Sequence, residues 1–295
     1  MRSLAVHVPV LVDEVVFLLR PRDGGWVIDG TVGMGGHAEA ILDTTGPDVR
    51  LLGLDADPGA LGQASTRLAR FGERARLAHA SFADLGAVAA GQGIAEARSV
   101  LLDLGISSWQ LEESGRGFSF QNDEPLDMRL DPTRGETAAT LLNRLTEAEL
   151  AGILHEYGEE RHARRIARSI VHRRPLATTG DLVAAVRAAV PREAWSRRIH
   201  VATRTFQAVR MAVNDEPGAL RRALEQAPGL LAPRGRLGVI AFHSGEDRIV
   251  KHTFRSLESA GFAELEPSPL PPGADEVRAN PRARSAKLRV LERLP

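Results

Sequence analysis

The chain contains no cysteine. Disulfides, thiolate zinc sites and iron–sulfur clusters are therefore excluded, and so is any mechanism that begins with attack by a thiolate. The chain also has no net charge, because Lys+Arg and Asp+Glu each number 38. No global field draws it to nucleic acid or membrane, so any nucleic-acid contact must come from local basic patches. Lysine is nearly absent and almost every basic residue is arginine. In a sequence so heavy in Ala, Arg and Gly, that bias alone is weak evidence for RNA. Missing too is any run of about 18 apolar residues, the length that would span a bilayer. The segment MRSLAVHVPVLVDEVVFLLRPRDGG sets His7, Asp13 and Glu14 among its apolar residues and offers no small-residue cleavage site. The cytoplasm is the default compartment, and no membrane partner is expected.

What is present is an ordinary globular composition: 295 residues, 43% hydrophobic and 26% charged, enough for one large domain or two smaller ones. Trp26-Val27-Ile28 is a short apolar run ending at Asp29. The loop Gly30-Thr31-Val32-Gly33-Met34-Gly35-Gly36 follows, then a helix over His37–Leu42 and a second run, Val49–Leu54, ending at Asp55. A helix around Pro58–Phe71, a strand around Ala75–His79, another helix and the run Ser99–Leu102 ending at Asp103 repeat the pattern. Continuous apolar runs alternating with helices predict an α/β fold, a parallel sheet covered on both faces.

From about 113 to 204 strand-like runs disappear. Thr146-Glu147-Ala148-Glu149 is a capping box with Leu150, Ile153, Leu154 and Tyr157 at helical spacing behind it. Thr178 or Thr179 caps a helix through Leu182–Val190, ended by Pro191. Residues 113–204 read as an inserted all-helical domain within an α/β domain formed by 1–112 and 205–295. The second α/β part reads as a helix near Phe206–Ala227, a turn at Ala232–Gly235, a strand Arg236–Phe242, a helix Arg248–Ala260, a strand Phe262–Leu265, a Pro-rich loop and a last strand Lys287–Glu292.

Gly33-Met34-Gly35-Gly36-His37-Ala38 satisfies G-x-G-x-x-G/A, so a nicotinamide dehydrogenase has to be weighed. A glycine turn merely joining strand to helix gives the same match. Asp55 is placed to accept hydrogen bonds from ribose hydroxyls in either family. Asp29, just ahead of the glycines, is different: a carboxylate beside a pyrophosphate is repelled, whereas it suits the ammonium group of S-adenosylmethionine. Phe82 is either an adenine-facing aromatic or a core aromatic. Asp29, Asp55 and Asp103 all end strands on the sheet edge where ligands of open α/β folds bind.

Longer motifs carry a resemblance. His7-Val8-Pro9-Val10, Asp29-Gly30-Thr31 with Gly35-Gly36-His37, Asp103-Leu104-Gly105, Arg116-Gly117-Phe118-Ser119-Phe120 and Pro125-Leu126-Asp127-Met128-Arg129 resemble the bacterial 16S rRNA (cytosine-N4) methyltransferases of the RsmH/MraW family. So do Tyr157-Gly158-Glu159-Glu160-Arg161, Ala202–Ala208, Phe242-His243-Ser244 and Asn280–Ser285, and the likeness covers essentially the whole chain. It implies a class I S-adenosylmethionine-dependent methyltransferase (Rossmann-like) fold with a helical insertion. The implied reaction is methylation at N4 of a cytidine in the decoding region of 16S rRNA, within the small ribosomal subunit. Carried over by position, the cofactor contacts are Gly35, Gly36, His37, Asp55, Phe82, Asp103 and Gln110. Trp109, Val201 and Gly245 depart from the family pattern, and Trp109 adjoins Gln110.

The missing cysteine agrees with N4, since methylation at C5 ordinarily needs a Cys adduct while an exocyclic amine attacks the sulfonium methyl directly. That amine is neutral but delocalised, so catalysis calls for in-line placement and acceptors rather than a strong base. The Asp/Ser/Asn-Pro-Pro-Tyr/Phe signature of many amino-methyltransferases is absent, and Asp103 stands in its place. Asp103 and His243 are the catalytic candidates; His243 serves equally as a structural residue bonded to a loop carbonyl. Asp127 and Arg129 order a loop or pair with each other. Arg161, Arg164, Arg165 and Arg168 share one helical face, and no acidic residue occurs from Arg161 to Arg174; this stripe, with Arg278, Arg282, Arg284 and Lys287, is the expected phosphate-binding surface. A non-catalytic ribosome-assembly factor that keeps the fold is the alternative reading.

Overall fold

The computed structural model describes residues 9–19, 24–196 and 199–295; His7 and Val8 of the first motif lie outside them. The chain forms two compact units, one from 1–107 with 217–295 and the other from 108–216.

The first unit opens with helix α1 (Val12–Leu19), strand β1 (Gly25–Asp29), α2 (Gly36–Asp43), β2 (Val49–Asp55), α3 (Pro58–Leu68), β3 (Ala75–His79), α4 (Leu85–Gly91) and β4 (Ala97–Asp103). The second unit holds α5 (Ser108–Glu112), α6 (Ala138–Arg144), α7 (Glu147–Glu156), α8 (Ala163–His172), α9 (Thr179–Ala189) and α10 (Thr203–Val213). The chain returns to the first unit through α11 (Glu216–Leu230), β5 (Leu231–Ala241), α12 (Ser244–Leu257), β6 (Phe262–Glu264), α13 (Ala274–Ala279) and β7 (Lys287–Arg293).

The seven strands form one sheet in the order β3-β2-β1-β4-β5-β7-β6. The first five run parallel, and β7 pairs antiparallel with both β5 and β6. The expected doubly wound sheet is therefore present. Successive side chains of a strand point to opposite faces, and the core divides accordingly. Val27, Leu51, Leu101 and Ile240 pack with α1 and α2 on one face. Ile28, Leu52, Leu102 and Val239 pack with α4, α11 and α12 on the other. Apolar residues at consecutive positions are what a sheet buried on both faces requires.

That alternation also fixes the three terminal aspartates. Asp29 has the parity of Val27, Asp55 that of Leu51 and Asp103 that of Leu101, so all three belong to the α1/α2 face. The strand order reverses between β1 and β4, the switch point at which open α/β sheets bind ligands.

Two expectations are corrected. The single helix near Phe206–Ala227 is two, α10 and α11, broken at Asn214-Asp215. Asp215 adopts φ 46°, and the Asn214 side chain is taken up by bonds to the backbone of Met128 and Leu130. Helix α10 packs on α7 and α6, so it belongs to the helical unit and not to the sheet, and the unit boundaries fall at 107/108 and 216/217. The turn at Ala232–Gly235 lies inside β5, where Arg234 adopts φ 61° and pairing with β4 jumps from Leu231 to Arg236.

Within the second unit, Thr146 and Thr178 each cap their helices with a complete capping box. Asp127 and Arg129 pair with each other through two bonds of 2.7 and 2.8 Å. The guanidinium of Arg116 donates to the carbonyls of Arg129 and Leu130. A Cβ on Gly158 would lie 2.7 Å from the Arg204 carbonyl oxygen, so two of the long motifs meet here by close packing. No helix among the described residues is long and apolar enough to cross a membrane.

Candidate cofactor and active site

The loop after β1 is pinned at every turn by the neighbouring strand ends. Gly30 N–H donates to the Leu101 carbonyl and Val32 N–H to the Leu54 carbonyl. Asp55 Oδ2 accepts from Gly33 N–H at 2.8 Å, and its Oδ1 from Asp57 N–H at 2.8 Å. Asp29 Oδ1 accepts from Thr31 N–H at 3.1 Å, while the Thr31 hydroxyl oxygen accepts from Asp103 N–H at 2.6 Å. One threonine thus links the ends of β1 and β4.

Gly35 opens α2 in the left-handed region at φ 84°, a conformation L side chains resist. A Cβ on Gly36 would come within 2.7 Å of Pro9 Cγ, so this glycine admits the N-terminal segment against the loop. His37 follows, 5% exposed, with Nε2 2.8 Å from the Val10 carbonyl oxygen and Nδ1 3.6 Å from Asp103 Oδ2. Phe82 is half-buried against the core beneath α4 and α11, and its Cβ would lie 3.2 Å from a Cβ on Gly30.

The three aspartates have lost most of their water. Burial, opposed by the bonds from Thr31 and reinforced by the Asp55 charge, pushes Asp29 up to about 7. Burial likewise raises Asp55 to about 6 against the bonds from Asp57 and Gly33. Asp103 is held well above the usual carboxylate range by burial, then by Asp29 and Glu246, and its Oδ1 is buried without a hydrogen-bond partner. The charges acting on these groups are mainly other carboxylates, with His79 opposing them at Asp55.

A site of this kind fits a cationic ligand rich in donors and repels a pyrophosphate. A sulfonium and an ammonium supply the missing positive charge, and ribose hydroxyls supply donors for lone pairs still open on Asp55. Fold and chemistry together are those of an S-adenosylmethionine-dependent methyltransferase of Rossmann-like fold, with these aspartates as its candidate cofactor residues. The same arrangement disposes of the dehydrogenase reading.

Residues 4–294 match the MraW methylase family, and the chain belongs to it. It is 50% identical over 307 residues to the ribosomal RNA small subunit methyltransferase H of Geobacter sulfurreducens, covering 98% of this chain and 99% of that one. It is 49% identical over 312 residues to the protein of the same name from Syntrophotalea carbinolica, covering 99% of each. The protein of that name from Kosmotoga olearia is 47% identical over 290 residues, covering 98% of this chain and 97% of its own.

Two candidates remain, Gln110 and His243. Gln110 belongs to the helical unit, on α5, and is buried there. His243 precedes α12 as its cap: Nδ1 accepts from Glu246 N–H at 3.3 Å. Its Nε2 lies 3.1 Å from Glu246 Oε1 but makes no hydrogen bond. Glu246 and Thr31 were not singled out by sequence reasoning. Glu246 is 6% exposed, accepts from Phe242 N–H at 2.9 Å and raises Asp103. Its signal was a carboxylate three residues beyond a helix cap, readable only once His243 is known to be that cap.

Proposed function

We propose that this methyltransferase acts on RNA of the small ribosomal subunit, at the exocyclic N4 of a cytidine in its decoding region. The relatives' shared name supports the substrate, over nearly their full length. The observation that carries the chemistry is Asp103: a carboxylate at the switch point, raised by burial and then by its acidic neighbours, with one buried oxygen lacking a hydrogen-bond partner.

In this reading Asp29 and Asp55 hold the cofactor's ammonium and ribose, Gly35, Gly36 and the backbone of His37 line its path, and Phe82 borders the adenine. S-adenosylmethionine supplies an electrophilic methyl group on a positive sulfur. Asp103 faces the incoming amine, and its Oδ1 accepts the proton that nitrogen must lose once the new C–N bond has formed. His243 acts through placement, since its Nδ1 is spent on capping α12.

The exposed arginines of α8 are the second element of the reading. Arg164, Arg165 and Arg168 lie on the face opposite buried Ala163, Ile166, Ala167 and Ile170. Arg161 is not on that helix; it lies in the turn that follows Glu159, which adopts φ 47°. Arg168 pairs with Glu147 at 3.3 Å, so the stripe is partly compensated from α7. In the C-terminal patch Arg278 pairs with Asp275, and Lys287 with Asp247, which weakens it as a phosphate surface. RNA contact is assigned to Arg164 and Arg165 above all.

The test is transfer of labelled methyl from S-adenosylmethionine. Small subunits should accept label, while free cytidine and short oligonucleotides should not, because unstacking a base costs a few kcal/mol that remote contacts must offset. Label on ribosomal protein alone, or equal labelling of free cytidine, would overturn the reading.

A further inference from the structure

The ring of His37 is committed in two directions. A carbonyl oxygen only accepts, so Nε2 carries a proton and donates it to Val10 O at 2.8 Å. In the neutral ring the lone pair is then on Nδ1, and Nδ1 is the atom 3.6 Å from Asp103 Oδ2. A lone pair facing an ionised carboxylate in a buried place is unfavourable. The arrangement is satisfied when one proton lies between the two atoms, on either of them.

Among the described residues, the charged groups acting on Asp103 from the surrounding elements are acidic. They are Asp29 at the end of β1 and Glu246 in the first turn of α12, with Asp55 acting on Asp29. Without a cation in the site, Asp103 therefore tends to keep the proton on Oδ2. A positive ligand beside the carboxylates reverses the preference, and Nδ1 is the nearby base able to take the proton. The ring is held for that task by the backbone of the N-terminal segment, whose Pro9 packs on Gly36.

We infer that His37 is a positioning residue for Asp103: with the cationic cofactor bound, the shared proton passes from Asp103 Oδ2 to His37 Nδ1, leaving Asp103 an ionised acceptor. During transfer the C–N bond forms and the C–S bond breaks, the sulfonium becomes a neutral thioether, and the proton of the methylated amine goes to Asp103 Oδ1. The sulfonium charge that favoured the ionised carboxylate is then gone, so His37 Nδ1 releases its proton to solvent and the site returns to a single shared proton as the product leaves. This rests on the methyl-transfer reading, and it gives His37 a role beyond lining the cofactor's path.

Two experiments test it. The first is nitrogen-15 NMR of the histidine rings in the full-length wild-type protein at pH 7.5, ligand-free, with S-adenosylmethionine, and with S-adenosylhomocysteine, which lacks the sulfonium charge. His37 should show protonated Nδ1 with S-adenosylmethionine and a neutral Nε2–H ring with S-adenosylhomocysteine, and Asp103→Asn should abolish the difference. A ring that stays neutral with both, or that responds identically in Asp103→Asn, overturns the inference. The second is the pH dependence of kcat for His37→Gln. Losing a cation at this distance should move the acidic limb up by about 1–3 pH units, with a smaller change in KM for S-adenosylmethionine. A uniform fall in kcat with an unmoved limb would mark a merely structural role. The NMR arm needs no RNA, so a wild-type enzyme that fails to methylate RNA would defeat the substrate reading while leaving the ring signature to decide this one.

Discussion

Asp29, Asp55 and Asp103 are costly residues for a folded protein that holds no cation. Each has a carboxyl group raised by burial, so between the ordinary aspartate value and its own raised value the folded chain keeps protons that the unfolded chain releases. Stability therefore falls as pH rises through that window, from the ordinary 3.8 to about 6 for Asp55 and to about 7 for Asp29. We predict that the ligand-free protein melts at a lower temperature at pH 8 than at pH 5, and that S-adenosylmethionine raises the melting temperature more at pH 8. Asp29→Asn should flatten the pH dependence and raise ligand-free stability at pH 8 while weakening cofactor binding, a trade common at functional sites. Scanning calorimetry reads both; a wild type more stable at pH 8 than at pH 5 would contradict the assignment. In the proposed reading Asp55 accepts from the ribose hydroxyls, so Asp55→Ala should cost roughly 1.5–3 kcal/mol of affinity for S-adenosylmethionine, the size of a charge-assisted hydrogen bond. Titration calorimetry measures it, and unchanged affinity would remove Asp55 from the site.

At the scale of elements, the glycine loop and the arginine helix make separable claims. Gly36→Ala places a methyl where Pro9 sits, so the segment at 9–19 must shift and the Val10–His37 bond must loosen. Hydrogen exchange should show reduced protection in α1, together with weaker cofactor binding; intact protection would mean the close approach is not needed. Arg164→Gln with Arg165→Gln should weaken RNA binding and reduce the log–log salt slope by about 0.7 for each single-strand phosphate that an arginine no longer neutralises, with cofactor affinity unchanged. An unaltered slope would make that face simply solvated. These elements were also the legible ones. Strands β1, β2 and β4 announce themselves as apolar runs closed by aspartate, because a doubly covered sheet leaves little freedom at those positions. The capping boxes at Thr146 and Thr178 are local chemistry and could be read locally. What could not be read depended on distant partners. The break at Asn214-Asp215 follows from bonds to Met128 and Leu130, far away in sequence. The capping use of His243, the pull of Glu246 on Asp103 and the Glu147 partner of Arg168 likewise appear only when the chain is folded. The aspartates themselves were visible; their shared face follows from strand parity once the register is known.

At the scale of the whole molecule, a neutral chain without cysteine has limited means of modifying RNA. It cannot form a thiolate adduct with a pyrimidine ring, so C5 is closed to it by the usual route, and with no net charge it has no global field to draw RNA in. What it does possess is a group of buried carboxylates suited to a sulfonium cofactor and one carboxylate oxygen left to accept a proton. The central claim is that these act together on an exocyclic amine. The direct measurement is mass spectrometry of nucleosides from small ribosomal subunits treated with the protein and S-adenosylmethionine. The account predicts N4-methylcytidine in the small-subunit RNA, lost with Asp103→Ala, and no 5-methylcytidine; methyl groups on C5, on ribose or on protein, with N4 untouched, would contradict it.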